Sequence, residues 1–420
     1  MSVYYTKYLI LGAGCSGLAF ANHLKGSEYI IMEKNNTGGG YCRTFKKSNY
    51  IWDFAGHFFH FATPYWKNFF KSRIDENEFV TVKKNTKIYY KSLLIDYPFQ
   101  KNIHQLPKEE LIDCLYDLCN RESVFNEKTF EGMLYKKFGR SISDKFLIPY
   151  NEKLYACNLN NLDANSMGRF FPYADITEII SNMKKPANNS YNDFFMYPKN
   201  GAEVFVQALM KDLSRKKLFF NQECRKIDLR KKVVYSENLE IHYKKLINTI
   251  PLKYFIDLFD NDYVSKDLSC NKVLVLNMGF DKKSDFKDIH WMYFPDKDIN
   301  FYRIGFYDNI LNQPHLSLYV EIGYKEDATI DVEYQINLTL KNLKKVGIID
   351  EDFHLMEFKA CIMRPAYVHI SEQSRNMVND IKTFLAEQNV YTIGRYGGWK
   401  YCSIEDCLIE AKNLYDRMCN

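Results

Sequence analysis

The sequence predicts a protein of the α/β class, and three observations along its 420 residues support this prediction. First, an apolar run at Lys7–Leu11 leads into the glycine motif Gly12–Gly17, and a helical pattern follows at Leu18–Leu24. Second, residues 100–190 are mostly of helical pattern. Third, alternating runs after Lys217 indicate β-strands. We therefore expect a Rossmann-like domain, an inserted helical domain and an antiparallel sheet domain.

The glycine motif, G-x-G-x-x-G, predicts a dinucleotide site. Gly12 permits a tight turn, Gly14 lets the backbone approach a pyrophosphate, and Gly17 lets the helix pack closely on the strand. The helix N-terminus around Ser16 offers unpaired N–H groups and a partial positive charge to phosphates. Glu33 closes the next apolar run, where its carboxylate can accept a hydrogen bond from a ribose hydroxyl. The alternative is a glycine-rich turn in another kind of α/β unit.

A second glycine cluster indicates which dinucleotide is bound. Residues Gly38–Thr44 read Gly-Gly-Gly-Tyr-Cys-Arg-Thr. This extension resembles the FAD-specific segment of amine-oxidase-like and mutase-like flavoproteins, and nicotinamide-only dehydrogenases usually lack it. We therefore expect FAD as the cofactor, with Gly40 and Arg43 at its binding site.

An aromatic segment, Tyr50–His60, follows the second cluster and contains the dipeptide Gly56-His57. Such a segment would place an imidazole beside a flat cofactor, so we expect Gly56 and His57, rather than His60, at the flavin. The alternative is a buried hairpin with a hydrogen-bonded histidine.

The remaining pattern predicts further elements in chain order. The helix predicted at Pro107–Asn120, for example, places Leu111, Cys114, Leu115 and Leu118 on one apolar face. The other predictions are strands within Lys87–Tyr97, helices through Lys136 and at Ser141–Asn160, a loop at Lys184–Tyr191, a helix at Ala202–Leu213, short strands within Lys217–Tyr243, a buried strand at Lys245–Leu252, antiparallel strands at Leu274–Phe280, His290–Phe294, Phe301–Phe306 and Leu316–Ile322, a helix at Val332–Leu343, an extended piece at Phe353–Tyr367, a helix at Arg375–Gln388, a strand at Val390–Arg395 and a C-terminal helix.

Composition and charge argue against several classes of protein, namely nucleic-acid-binding, zinc-binding and membrane-spanning proteins. Hydrophobic residues make up 46% and charged residues 26% of the chain, which is typical of a globular protein. A net charge of +5 without a long basic block argues against nucleic acid as a partner. The eleven cysteines are scattered without a zinc-binding pattern, so we expect reduced thiols and no metal. No apolar run has the roughly 18 residues of a membrane helix, and we expect a cytoplasmic protein.

Short stretches along the whole chain resemble the UDP-galactopyranose mutases, more closely the eukaryotic-type branch than the bacterial one. The matching stretches are Gly12–Gly17, Gly39–Thr44, Asp53–His57, Tyr97–Gln100, Pro149–Ala156, Met167–Arg169, Trp291–Pro295, Phe301–Arg303, Asn312–Pro314 and Gly394–Tyr401. The resemblance implies a discontinuous FAD domain and two further domains, with a sugar nucleotide between them. The expected division is 1–95, 193–265 and 376–420 for the FAD-binding domain, 96–192 for the helical domain and 266–375 for the antiparallel sheet domain.

The resemblance also implies roles for individual residues. Arg169 and Arg303 would clamp the substrate diphosphate, a task that suits planar bidentate donors, although each arginine can instead form a structural salt bridge. His57 would face the flavin, and Gly394 and Arg395 would lie near its phosphates. The residues expected to contact the base, the diphosphate or the sugar are Gln100, Asn151, Tyr155, Asn192, Tyr293, Tyr367 and Tyr401.

The chemistry implied by the resemblance is an isomerisation that needs reduced FAD. N5 of the reduced flavin acts as the nucleophile on the anomeric carbon, UDP leaves and returns, and a UDP-sugar changes between pyranose and furanose forms. NAD(P)H or another reductant would reduce the cofactor. The identity of the sugar stays open, because the sequence departs from the family pattern at two positions. Tyr155 stands where the family has a tryptophan. Ile310 stands where a substrate-facing tyrosine is expected, although Tyr307 could substitute for it.

Two other functions are compatible with the early glycine motifs. One is a redox flavoenzyme, an oxidase or desaturase of the amine-oxidase and protoporphyrinogen-oxidase type. The other is an FAD-binding scaffold without catalytic activity. Two arginines converging on the flavin would favour the mutase, because an oxidase of apolar substrates has no need of them.

Overall fold

Two large β-sheets organise the computed structural model, which describes residues 1–24, 26–121, 125–184, 194–263 and 265–419. The strands are β1 (Ser2–Leu11), β2 (Tyr29–Met32), β3 (Thr44–Lys47), β4 (Tyr50–Asp53), β5 (Phe79–Lys83), β6 (Thr86–Tyr90), β7 (Leu93–Asp96), β8 (Phe194–Pro198), β9 (Leu218–Phe219), β10 (Lys226–Asp228), β11 (Val233–Tyr235), β12 (Leu239–Asn248), β13 (Asn271–Phe280), β14 (Trp291–Tyr293), β15 (Arg303–Phe306), β16 (Ser317–Lys325), β17 (Leu355–Met363) and β18 (Val390–Thr392).

Helices connect and cover these sheets. The α-helices are α1 (Cys15–His23), α2 (Pro64–Lys71), α3 (Lys108–Cys119), α4 (Phe130–Ile142), α5 (Ile148–Tyr155), α6 (Ile176–Lys184), α7 (Glu203–Met210), α8 (Leu252–Ile256), α9 (Tyr307–Leu311), α10 (Val332–Lys345), α11 (Glu372–Glu387), α12 (Gly394–Gly397) and α13 (Ile404–Cys419). A π-helical segment, Ser143–Leu147, joins α4 to α5. None of the helices in the described part of the chain is long and apolar enough to cross a membrane.

The first sheet has a parallel centre in the order β9-β2-β1-β12, with β18 parallel to the end of β12. Strands β11 and β10 continue it antiparallel at the start of β12. Ile10 of β1 packs in a core with residues of α1, α7 and α13, while Leu9 and Leu11 pack in another core with residues of α8 and α11. Because both faces of its central strands are covered, their apolar runs are nearly continuous. This arrangement confirms the predicted α/β class and its Rossmann-like domain.

Some element boundaries differ from the predictions. Strand β1 begins at Ser2 rather than Lys7, because its first half pairs with the start of β12. Helix α1 begins at Cys15 rather than Leu18. The strand predicted at Val390–Arg395 ends at Thr392, because Gly394 has a φ of +87° and begins the short helix α12.

The second sheet has the order β17-β13-β16-β15-β14-β6-β7 and is antiparallel apart from the β14–β6 pair. Strands β6 and β7 fall almost wholly within 1–95, the range expected for the first cofactor-binding segment, yet they pair in this sheet. The division into domains stays a prediction. The pairing shows that the chain contributes to the second sheet before it enters the helical region.

The helical region, α3 to α6, packs on one face of the second sheet. Cys114 and Leu118 of α3 are buried, as the apolar pattern predicts. Phe99 and Leu154 share one core with Tyr302 and Tyr319 of the second sheet region. The predicted substrate residues that the structure describes lie in or beside this core.

Candidate active site

The turn between β1 and α1 has the shape of a dinucleotide cradle. Gly12 has a φ of +97°, and a Cβ on Gly17 would lie 2.1 Å from the Gly12 carbonyl oxygen, so both positions require glycine. A Cβ on Gly14 would meet no atom of the described residues within 4 Å, so this glycine faces open space in the described structure. Gly14 is the N-cap residue of helix α1, and no side chain among the described residues caps the helix. Its first N–H groups therefore have no side-chain acceptor in the described parts of the chain and can bind a phosphate.

The second glycine cluster lies against the first. The Gly39 N–H donates to the Ala13 carbonyl over 2.8 Å. A Cβ on Gly40 would be 3.6 Å from the Gly14 Cα, and Arg43 Nε donates to the Gly40 carbonyl over 2.8 Å. The two clusters that predicted a flavin site therefore form one continuous backbone surface.

Glu33 closes the cradle from the end of β2. Its carboxylate is buried and accepts three hydrogen bonds, from the Ala13 N–H over 2.9 Å, from the Asn35 N–H over 2.9 Å and from Asn35 Nδ2 over 2.7 Å. A carboxylate has about four acceptor positions, so these bonds leave room for a ribose hydroxyl. The ribose contact itself stays a prediction.

The C-terminal segment reaches the same cradle. A Cβ on Gly394 would lie 2.3 Å from the Ser16 Oγ, which brings α12 against the start of α1. Arg395 donates through Nη1 to the Cys402 carbonyl (3.2 Å) and through Nη2 to the Ala366 carbonyl (3.4 Å). Its buried Nε has no hydrogen-bond partner among the described residues.

Three of the predicted substrate tyrosines gather around Arg395. The guanidinium lies 4.6 Å from the ring centre of Tyr401 and 5.4 Å from that of Tyr367. Tyr367 and Tyr401 are stacked with their centroids 5.9 Å apart, and Tyr155 packs 5.8 Å from Tyr367. Cation–π contact favours the guanidinium at this position. The structure therefore brings together Tyr155, Tyr367 and Tyr401, which are far apart in sequence.

Arg303 belongs to the same group through its charge. Burial raises the pKa of Tyr367 to about 12, and the charges of Arg303 and Arg395 both oppose this rise. Burial also raises the pKa of Tyr293, and Arg303 again acts in the opposite direction. Arg303, Arg395 and the tyrosines between them thus form one site, which we call the arginine–tyrosine cluster (Arg303, Arg395, Tyr155, Tyr293, Tyr367 and Tyr401).

A buried carboxylate, Glu321, holds Arg303 in place. Arg303 Nη2 lies 2.6 Å from both carboxylate oxygens, and the Tyr302 hydroxyl donates to Glu321 over 2.5 Å. Although burial alone would lower it, Glu321 keeps the pKa of Arg303 above its usual value. The buried Arg303 Nε has no hydrogen-bond partner in the described parts of the chain. One edge of the guanidinium is therefore fixed, and another keeps a donor available.

Arg169 lies at the edge of the cluster and is held by a different acid. Its Nη2 donates to the Asp406 carboxylate over 2.6 Å, and its guanidinium lies 5.0 Å from the ring centre of Phe170. The Phe170 ring in turn packs 5.2 Å from Tyr401. Both predicted clamp arginines thus form the salt bridges that were their alternative, and their diphosphate roles stay predictions.

His57 carries no charge at neutral pH. Burial lowers the pKa of its imidazole to about 4, and the charges of Arg395 and Arg303 add to this effect. Its Nδ1 lies 3.1 Å from the Ala55 carbonyl oxygen, so this nitrogen bears the proton. Before it, Gly56 is required for packing, because a Cβ there would lie 2.4 Å from the Tyr319 hydroxyl.

Other predicted residues hold local structure. The Gln100 amide donates to the Pro172 carbonyl, and Asn151 Nδ2 donates to the Leu147 carbonyl over 2.6 Å. Gln100 Oε1 and Asn151 Oδ1 are buried and without a hydrogen-bond partner among described residues, so each keeps an acceptor. Asn192 lies outside the described residues.

Tyr307 does not replace the tyrosine that is missing at Ile310. Its side chain is fully buried, and its hydroxyl donates to the Ala55 carbonyl (3.3 Å) and accepts from the Asp53 N–H (3.2 Å). Ile310 is buried as well. Neither side chain is placed to face a sugar.

Asp53 is a supporting residue that was not among the predicted site residues. Its fully buried carboxylate accepts hydrogen bonds from the Thr44 hydroxyl (2.6 Å), the Tyr197 hydroxyl (2.7 Å) and the Ala202 N–H (3.1 Å). Burial raises its pKa to about 7. The available signal was an acid inside an otherwise apolar, aromatic run.

Comparison with known proteins agrees with this architecture. Residues 10–72 match the NAD(P)-binding Rossmann-like domain family. A crystal structure of reduced UDP-galactopyranose mutase superposes with a TM-score of 0.92 at 22% sequence identity, covering 99% of this chain and 94% of that one. The chain has the fold of UDP-galactopyranose mutase.

Two oxidases are also similar to this chain, one by structure with a lower TM-score than the mutase and one by sequence over part of the chain. The structure of a putative protoporphyrinogen oxidase from Exiguobacterium sp. 255-15 gives a TM-score of 0.78 at 13% identity, over 100% of this chain and 99% of that one. The coproporphyrinogen III oxidase of Staphylococcus aureus (strain NCTC 8325 / PS 47) is 22% identical over 320 residues, 67% of this chain and 68% of its own length. The mutase fold is thus the better match in three dimensions, while the eukaryotic-type branch stays a prediction.

Proposed function

We propose that this protein is a flavin-dependent sugar-nucleotide mutase that interconverts the pyranose and furanose forms of a UDP-sugar. One observation carries the proposal: the arginine–tyrosine cluster holds two buried guanidinium nitrogens, Arg303 Nε and Arg395 Nε, without partners among described residues. Buried charged donors are costly unless an acceptor satisfies them. A diphosphate bound in the cluster would supply such acceptors.

FAD is the cofactor in this proposal, and the cradle fits it. Open space at Gly14 and the uncapped start of α1 suit a pyrophosphate. The residues that would hold the cofactor are Gly12, Gly14, Ser16, Gly17, Glu33, Gly40, Arg43, Gly56, His57, Gly394 and Arg395. Reduced FAD, once bound, supplies the nucleophilic N5 for the anomeric carbon of the sugar, so NAD(P)H or another reductant is required.

The protein's own residues would then bind and orient the sugar nucleotide and exclude water from it. Arg303, fixed by Glu321, would bind the diphosphate through its remaining donors. Arg169 would join it by exchanging Asp406 for phosphate. Tyr293, Tyr367 and Tyr401 would line the sugar site. A neutral His57 adds no further positive charge near Arg303 and Arg395. The sugar need not be galactose, because Tyr155 and Ile310 depart from the family pattern.

The oxidases named above favour a second candidate, an FAD-dependent oxidase. A comparison of the products formed by the reduced and the oxidised protein distinguishes the two functions. Protein reduced with dithionite is incubated without oxygen with a panel of UDP-sugars, and the products are separated by chromatography. The mutase proposal predicts a furanose isomer only with reduced protein. Oxygen consumption without any isomer would establish the oxidase instead.

The first prediction concerns Arg303→Ala. Charged hydrogen bonds contribute about 1.5–3 kcal/mol each, so UDP affinity should fall by about 10- to 100-fold, measured by calorimetric titration. The flavin absorption spectrum should stay unchanged, because Arg303 is not part of the cradle.

Two further variants make this result interpretable. Arg303→Lys keeps a charge beside Glu321 and should fold normally, yet should also bind UDP more weakly because it lacks the planar donor pair. Arg225→Ala, at an exposed ion pair with Glu237, should bind like the wild type. Wild-type UDP affinity in a folded Arg303 variant would contradict the diphosphate assignment.

A further inference from the structure

Two cysteines meet at the start of α13, where a capping box sets their positions. The Ser403 N–H lies 2.9 Å from an Asp406 carboxylate oxygen, and the Asp406 N–H donates to the Ser403 hydroxyl over 3.1 Å. Cys402 precedes the cap residue, and Cys407 is the fourth residue of the helix. These are the positions that pack together in a hydrophobic staple. Their Sγ atoms are accordingly only 3.6 Å apart, and both side chains are buried.

The surroundings shift the pKa values of the two cysteines in opposite directions. Cys402, the Ser16 hydroxyl and the Arg395 N–H all hydrogen-bond to the Cys407 sulfur, and together they lower the pKa of Cys407 despite burial. The same hydrogen bond raises the pKa of Cys402, and burial adds to this rise. The thiolate form is therefore favoured at Cys407 over Cys402, and Cys402 is the thiol placed to donate to it.

We propose that Cys402 and Cys407 are a site of reversible oxidation, where a hydroperoxide converts the two thiols into an intramolecular disulfide. With hydrogen peroxide, the Cys407 thiolate attacks one oxygen, the O–O bond breaks, and a sulfenic acid forms as the other oxygen leaves as water after protonation; an organic hydroperoxide would release an alcohol instead. Cys402 then attacks the Cys407 sulfur, forming the S–S bond and releasing the sulfenic hydroxyl as water. Two electrons pass from the two sulfurs to one peroxide. A dithiol reductant restores both thiols by exchange.

A staple contact alone would not account for the polar groups around Cys407. A purely apolar staple needs neither the Ser16 hydroxyl nor the Arg395 N–H at the sulfur. Cys15 and Cys42 form another close pair, in which hydrogen bonding to Cys15 and burial raise the pKa of Cys42 well above its usual value, and this pair is the alternative site of a disulfide. This inference does not depend on the proposed function.

Trypsin gives a direct test with the full-length protein. The peptide Tyr401–Lys412 contains Cys402 and Cys407 and no other cysteine. Reduced protein is treated with hydrogen peroxide, quenched with catalase, alkylated under denaturing conditions and digested. We expect this peptide to lose both alkylation sites and to weigh about 2 Da less than the unalkylated dithiol peptide, because two hydrogens are lost. Dithiothreitol before alkylation should restore both sites.

Variants identify the attacking sulfur. In Cys402→Ser, dimedone should trap a sulfenic acid on Cys407, whereas in Cys407→Ser the remaining Cys402 should stay unmodified. Cys224→Ser, a change at a partly exposed cysteine elsewhere, should form the disulfide like the wild type.

The proposal is overturned if folded wild-type protein keeps both thiols alkylatable at peroxide concentrations that oxidise other cysteines. It is equally overturned if the disulfide found joins Cys15 to Cys42 or links two chains. Because these readouts come from the wild-type protein, they hold even where a variant fails to fold.

Discussion

Arg303 and Glu321 show how one pair of residues depends on strand register. They are direct cross-strand partners in β15 and β16, so their side chains emerge on the same face of the second sheet. Neither residue type is usually buried without a partner. The sequence indicated Arg303 through its motif but gave no sign of Glu321, because an acid 18 positions away becomes a neighbour only once the register is known.

The second prediction is that Glu321→Ala strongly destabilises the fold. Removing one partner of a buried ion pair leaves the other charge uncompensated and costs about 3–5 kcal/mol. Urea unfolding followed by fluorescence should show this loss. The control is Glu357→Ala, at a surface pair with Lys47, which should unfold like the wild type. Unchanged stability of Glu321→Ala would mean that Arg303 is solvated and needs no counter-charge.

The β1–α1 unit could be predicted from the sequence because its chemistry is local. Gly12, Gly14 and Gly17 sit within one turn, and each has a backbone reason to be glycine that the spacing alone reveals. The structure agrees in detail, since Gly17 packs on the Gly12 carbonyl and Gly14 faces open space.

The third prediction uses this contrast: Gly14→Ala should fold normally but lose FAD. The new methyl group would meet no atom within 4 Å in the part of the chain that the structure describes, yet it would occupy the space proposed for the pyrophosphate. Without FAD, the thermal midpoints of variant and wild type should coincide. Added FAD should raise only the wild-type midpoint, because only a bound ligand stabilises the native state. An equal rise in both proteins would place the cofactor elsewhere.

Elements that depend on distant contacts were harder to predict. The strand predicted through Arg395 ends early because Gly394 must turn against Ser16, a residue almost at the other end of the chain. Tyr307 looked available for a sugar, but packing against Asp53 and Ala55 buries it. In both cases the deciding partner is too far away in sequence for periodicity to reveal it.

At the scale of the whole molecule, Asp53 connects several parts of the chain. Its carboxylate binds Tyr197 of β8 and the Ala202 N–H just before α7. Its backbone carbonyl accepts from Asn277 Nδ2 of β13 over 2.9 Å, and its N–H donates to Tyr307 of α9. The residue therefore links the cofactor cradle region to the second sheet.

The fourth prediction follows from the pKa of Asp53, which is about 7 in the folded protein against 3.8 ordinarily. At pH values between these two pKa values, the native state binds more protons than the unfolded state. The contribution of Asp53 to stability therefore falls as pH rises. Asp53→Asn lacks this titration. From about pH 5 to pH 8, its unfolding free energy relative to wild type should rise by roughly 3 kcal/mol.

Urea unfolding at both pH values measures this difference. The exposed residue change Asp298→Asn is the control, and its difference from wild type should not vary with pH. A constant difference for Asp53→Asn would show that the Asp53 carboxyl is already ionised in the folded protein near pH 5.

The order of strands in the first sheet has a consequence for biosynthesis. Strand β18, which pairs with β12, and Gly394, which packs against Ser16, are translated only after some 390 residues have emerged. A nascent chain on the ribosome therefore exposes an unfinished sheet edge at β12 until β18 has been made. The contact of Gly394 with Ser16, which closes this side of the proposed cofactor cradle, can accordingly form only after β18 has been made, and a chain terminated upstream of β18 would lack it.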